Sequence, residues 1–201
     1  MCDVIVTIAR EYGSGGRLIG RELARDLGIS FYDKEIIALA SKECGLHEDF
    51  IQTMEQKNAS GFFYNLYMHN RELPIPEQVF LTQSNVIKAL AGKGPCVIIG
   101  RCADYVLADV KNCIRVFIYA PIETRVRTAR DEYHEGEGDI EGYIRKQDKG
   151  RASYYNFFTQ QKWGRAQNYH LCVDSSIGMA ASVRVIKNYV LEFSGAEGSP
   201  A

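Results

Sequence analysis

The chain has 201 residues, 46% hydrophobic and 24% charged, which suits one principal soluble domain and excludes global disorder and fibrous or collagen-like designs. Its 24 Lys and Arg against 25 Asp and Glu leave a net charge of −1, so bulk electrostatics gives no reason to expect nucleic acid, and any anion site has to be local. The opening MCDVIVTIAREYG carries an acid where a signal peptide carries positive charge, and no apolar run approaches the ~18 residues that span a bilayer. The expectation is a cytoplasmic protein with no membrane partner.

Residues 4–9, VIVTIA, are continuously apolar and β-branched, the pattern of a strand buried on both faces of a parallel sheet. REYGSGGR follows at 10–17, then a helix with Ile19, Leu23 and Leu27 on one face that stops at Gly28. ISFY at 29–32 reads as a second short strand, and Asp33 as the N-cap of a helix over DKEIIALASKE. Residues 45–76, with NASG and LPIP, are weakly patterned and read as a mobile or inserted segment. Val79/Phe80, Gln83, Val86/Ile87 and Leu90 have helical spacing, and GKGP at 92–95 ends that helix before CVIIG, the third strand.

IRVFIYAP at 114–121 is a fourth strand of the same buried type. ETRVRTARDEY is helical, HEGEGD at 134–139 is an acidic glycine-rich break, and IEGYIRKQDKGRASYYNFF resumes a helix. HLCVDSS gives the fifth strand. A last helix from Ser176 or Gly178 is expected to bury Met179, Val183, Ile186, Val190 and Phe193 ahead of a disordered tail at 195–201. The six cysteines (Cys2, Cys44, Cys96, Cys102, Cys113 and Cys172) form no CxxC pair and read as buried free thiols. Strands alternating with helices predict an α/β fold with a five-stranded parallel sheet, and in such folds ligands bind beyond the carboxyl ends of the strands.

The segments just past the strands therefore carry the chemistry. GSGG at 13–16 is either a glycine-rich turn or a degenerate phosphate loop, and its place between the first buried strand and the first helix favours the loop. Laid with its second glycine on Gly15, the pattern GxxxxGK[ST] meets Gly16 and Arg17 where it wants lysine and a hydroxyl. Arg10 or Arg17 can supply the missing charge, although a planar guanidinium does not simply take an ammonium's place. Arg101, just past the third strand, either clamps a phosphate or pairs with Asp104 at the surface. Arg125, Arg127 and Arg130 crowd one helix, and Arg145 and Arg151 flank Asp148 on another. These are solvated faces, or a hinged lid across the acidic break. Tyr64, Tyr67 and Phe80 have a spacing that suits a core as well as a base stack.

The stretches TIAREYGSGGRLIGRELARDLGISFYDKEII, CVIIGRCADYVL, YAPIETRVRTA, IRKQDKGRASYY and YHLCVDSS, in this order, resemble the cytidylate kinase-like family, a branch of the P-loop nucleoside monophosphate kinases. The resemblance implies one P-loop kinase-like domain over 1–194, with a monophosphate-binding insert at 45–76 and a lid at 127–160. It implies small-molecule nucleotides as partners, ATP with Mg²⁺ as donor, and CMP or a related nucleotide as acceptor. By position it gives Gly13, Ser14, Gly15, Gly16 and Arg17 to the phosphate loop and Asp33 to the monophosphate region. Arg101 falls on the arginine after the third strand, Arg127 and Arg151 on lid arginines, and Asp148 on the lid aspartate. Three positions depart from the family's form: Gly16 stands at the lysine, Leu18 at the hydroxyl position of the cytidylate kinase form, and Ile99 at the acid before Gly100. A nucleotide-binding or regulatory module that lost the chemistry, or a binder of another anionic metabolite, stands beside the kinase reading. Oligomeric state is not readable from the sequence.

Overall fold

The apolar runs become strands β1 (Ile5–Arg10), β2 (Ser30–Tyr32), β3 (Cys96–Ile99), β4 (Cys113–Tyr119) and β5 (Leu171–Asp174) in the computed structural model, which describes residues 4–45, 47–49, 75–134 and 138–196. All four pairings are parallel, in the order β2-β3-β1-β4-β5, which puts β1 at the centre. The helices are α1 (Gly16–Leu27), α2 (Lys34–Cys44), α3 (Ile75–Ala91), α4 (Ala103–Val106), α5 (Ile122–Asp131), α6 (Ile140–Thr159) and α7 (Met179–Ala196).

Alternation along the strands sends side chains to opposite faces, and both faces are covered. Val6, Ile8, Val97, Ile99, Val116, Ile118 and Val173 pack against Ile19 and Leu23 of α1 and Val183, Ile186 and Val190 of α7. Ile5, Cys96, Ile98 and Cys113 pack on the other side against Ile36 and Ile37 of α2, Val86 and Ile87 of α3, and Leu107. An apolar core on both faces fixes the strands firmly, so the loops at their carboxyl ends are held in place.

Some expectations change. Met179 is 41% exposed, because α7 begins there and its inward stripe starts at Val183. Cys96, Cys102 and Cys113 are buried free thiols, whereas Cys172 on edge strand β5 is exposed. The helix α7 continues to Ala196, and the rest of the expected tail lies outside the described residues, as does most of 45–76 with Tyr64 and Tyr67. Phe80 stacks on Phe158 at 4.5 Å beside Tyr154, so it is core. Among the described residues no helix is long and apolar enough to cross a membrane.

Candidate active site

The turn from β1 into α1 is built by its glycines and by hydrogen bonds within the loop. Gly13 has φ +78°, and a Cβ there would lie 2.5 Å from the Arg125 carbonyl oxygen, so no side chain fits. Ser14 Oγ donates to Glu11 O at 2.9 Å, and Ser14 O accepts from Ser175 Oγ at 2.7 Å. Gly15, also left-handed, occupies the N-cap of α1 with no side-chain cap, which leaves the first-turn amides facing the carboxyl edge of the sheet.

Behind this loop lies an ion network. The carboxylate of Asp148 on α6 accepts the Tyr12 backbone N–H through Oδ1 at 2.7 Å and pairs through Oδ2 with the Arg125 guanidinium. Arg125 Nη1 also donates to Tyr12 O at 3.4 Å, and its Nε lies 3.5 Å from Glu11 Oε2. Glu11 Oε2 accepts the Ala120 N–H at 3.2 Å. Burial pushes the Glu11 carboxyl above its ordinary pKa, while the Ala120 N–H and Arg125 act in the opposite direction.

In front of the loop a cavity of about 270 Å³ opens at the strand ends. Arg10, Arg17, Lys34, Arg101 and Arg151 line it, with Asp33 and Asp104 as its acids. Asp33 bridges two of the cations, with Oδ2 at 2.6 Å from Arg17 Nε and Oδ1 at 3.3 Å from Arg101 Nη1. It holds the N-cap place of α2 without capping it. Its own N–H instead donates to Glu35 Oε2 at 2.9 Å.

Gly100, Arg101 and Cys102 run consecutively at φ +69°, +54° and +56°. Two non-glycine residues in this region cost on the order of 1–2 kcal/mol each, strain of the kind that collects at ligand sites. The turn aims Arg101 inward, where it also donates to Ile99 O at 3.2 Å. Asp104 accepts from Tyr155 Oη at 2.8 Å; burial raises its pKa and the Tyr155 hydroxyl lowers it.

Arg151 closes the cavity from α6, donating from Nη1 to Arg10 O at 3.1 Å with its guanidinium 5.1 Å from the centre of the Tyr12 ring. Burial lowers its pKa, and Asp148 is the largest influence the other way. The phenol of Tyr133 is raised by burial. Acting against that are Arg10, then Arg151 and Arg17, then the Gly15 backbone N–H.

The sequence profile of the cytidylate kinase-like family matches residues 5–177. The chain belongs to this family. No curated protein matches it significantly. Among solved structures it is similar to an uncharacterized protein from Eubacterium ventriosum ATCC 27560, at 26% identity over 93% of this chain and 98% of that one, with a TM-score of 0.69. A gluconokinase from Sinorhizobium meliloti 1021 aligns at 12% identity over 97% and 95% of the two chains with a TM-score of 0.62. A shikimate kinase from Bacteroides thetaiotaomicron aligns at 12% identity over 93% and 98%, with a TM-score of 0.56. The latter two share the fold, that of P-loop kinases.

Of the expected site residues, Arg17, Asp33, Arg101 and Arg151 line the cavity, Gly13, Ser14, Gly15 and Gly16 form the turn from β1 into α1, and Asp148 holds the Tyr12 backbone behind that turn, outside the cavity lining. Arg127 is placed elsewhere, exposed on α5 and outside the cavity lining. Arg125, two residues earlier, is the buried arginine of α5. The spacing of Ile122, Val126 and Ala129 marks that inward face, and Arg125 falls on it. Arg101 pairs with Asp33 rather than Asp104. Asp148 contacts Arg125 and the loop backbone rather than bridging to Arg151. Leu18 and Ile99 are apolar where a metal ligand is expected, and Ile99 is fully buried. Among the described residues no group of three or more His, Cys, Asp or Glu is placed to hold a metal ion. The donor set at these positions does not fit protein-held Mg²⁺.

Proposed function

We propose that this protein transfers the γ-phosphoryl group of ATP to the phosphate of CMP or a related nucleotide. The bond from the γ-phosphorus to the β,γ-bridging oxygen breaks while one to an acceptor phosphate oxygen forms, leaving ADP and a nucleoside diphosphate. The observation that carries this reading is a cavity lined by Arg10, Arg17, Arg101 and Arg151 at the strand ends, entered from the two residues that flank a glycine turn and the N-terminus of α1. Such a constellation suits two phosphate chains brought end to end, since phosphoryl transfer needs positioning and charge neutralisation more than covalent help.

In this reading the loop holds donor phosphates, and Arg101, set beside Asp33, clamps the acceptor phosphate with its fork. Arg151 neutralises the transferring group. Residues 127–160 act as the lid, 45–76 as the acceptor-binding insert, and Arg127 joins the site only on closure. The departures at Gly16, Leu18 and Ile99 favour a second reading, a nucleotide-binding module without turnover. Calorimetric titration with MgATP and CMP, followed by a coupled ADP-release assay over a panel of nucleosides and nucleotides, separates the two. Binding with ADP release supports transfer, binding alone supports the silent module, and no nucleotide binding overturns both.

A further inference from the structure

The phosphate-loop pattern has two positions that this chain exchanges. With its second glycine on Gly15, the first glycine of GxxxxGK falls on Arg10 and the lysine on Gly16. A bulky cation stands where the pattern has glycine, and glycine stands where it has the cation.

The structure shows why the two changes belong together. A Cβ on Gly16 would lie 2.7 Å from Arg10 Cβ and 3.1 Å from Arg10 Cγ, so the Arg10 stem fills the space in which a side chain at 16 would begin. Only one of the two positions can carry a long side chain without rearrangement. Further along, the Arg10 guanidinium rests on the Cα face of Gly100, where any Cβ would collide with Nη1. Arg10 is thus threaded across two glycines from the end of β1 to the cavity, with its carbonyl held by Arg151.

We propose that Arg10 is the phosphate-binding cation of this loop, delivered from the strand side in place of the lysine that the pattern delivers from the helix. Arg17, the other candidate, is 48% exposed and its Nε is already paired with Asp33. The direction of charge agrees: at the Tyr133 hydroxyl, beside the Gly15 N–H, Arg10 is the leading cation. Arginine also brings something lysine lacks, a planar fork that spans two phosphate oxygens and keeps its charge at any working pH.

The inference rests on the phosphoryl-transfer reading for its kinetic arm only. Its binding arm uses tripolyphosphate, which needs no base or acceptor. The proteins compared are the wild type, Arg10→Gln, Gly16→Lys and the exchange Arg10→Gly with Gly16→Lys, each checked by thermal melting. Arg10→Gln is expected to melt near the wild type and to bind tripolyphosphate and MgATP about ten- to a hundredfold more weakly. Gly16→Lys alone is expected to melt lower, because its stem meets Arg10. The exchange is expected to regain at least about tenfold in affinity over Arg10→Gln, since it restores the ordinary pattern. A folded Arg10→Gln with wild-type tripolyphosphate affinity overturns the inference, as does a wild type that binds no tripolyphosphate. Tripolyphosphate binding that depends on Arg10, without ADP release, upholds it while the transfer reading fails.

Discussion

Behind the glycine loop, Arg125 lies between Glu11 and Asp148, and these ions fix the backbone of Tyr12 and the close approach at Gly13. In front of it, Arg151 hydrogen-bonds to a carbonyl and lies against an aromatic face, while Arg10 crosses two glycines into the cavity. A guanidinium matched to carboxylates has its charge compensated and acts as a fastener. Arg151 is hydrogen-bonded to a carbonyl and set against a ring, with Asp148 acting on it only at longer range, and it faces the cavity where an anion would enter. Helix α6 supplies Asp148 to the first region and Arg151 to the second, three residues apart. Any shift of α6 therefore moves the loop's support and its charge together.

The contrast breaks most visibly at Arg151. If it serves the transferring phosphoryl group, Arg151→Ala lowers kcat about 10³-fold while ATP affinity falls far less. Coupled ADP release with CMP, set beside calorimetry, reads both. Equal losses in the two would make Arg151 a ground-state binder.

On the fastener side, Arg125→Met leaves two carboxylates without their cation and is expected to cost about 3 kcal/mol of stability in urea unfolding. Arg127→Ala, on the exposed face of the same helix, is expected to stay within about 0.5 kcal/mol. A cycle of Arg125→Met with Asp148→Asn should show a coupling above about 0.5 kcal/mol; additive effects would mean that the two are not working as a pair.

A smaller effect separates the loop's own glycines. Gly13→Ala combines a left-handed backbone with a collision against the Arg125 carbonyl, for about 2 kcal/mol, whereas Gly15→Ala meets only Ile19 Cδ1 at 3.8 Å and loses about 1 kcal/mol. Equal melting temperatures for the two would remove the steric argument at Gly13.

The smallest effect lies far from either region. His170 accepts the Arg115 backbone N–H at Nδ1, and burial and then Arg115 lower its pKa. A folded-state value below the ordinary one means that the unfolded chain binds the proton more tightly. Stability from this group is therefore complete above the ordinary histidine range and is lost as pH falls through that range toward the lower folded value. His170→Gln should make the urea midpoint less sensitive between pH 7.5 and 5.5.

The sheet was legible because strands buried on both faces leave uninterrupted apolar runs, and VIVTIA, CVII and IRVFIY each became a strand within one or two residues. The loop was legible for a similar reason, since glycines between a strand and a helix have few other uses. The partners of the charged groups were not. Asp33 has the identity and position of an N-cap, yet Arg17 and Arg101 converge on it from other elements and outcompete the helix end. Arg127 was favoured over Arg125 by motif position, whereas the phase of α5 decides which arginine faces inward. Asp148 pairs across 23 residues with Arg125, a contact that spacing along one helix does not show.

The exchange of Arg10 and Gly16 also changes what reagents find at this site. An amine that cradles phosphate is a nucleophile near its pKa of about 10.4, open to acylation by reactive nucleotide analogues, whereas a guanidinium stays protonated and inert. Among the described residues the amine on the cavity wall is Lys34, beside Asp33 and two strands away from the loop. Acylating analogues would mark the protein there, with the label on α2 and the loop untouched.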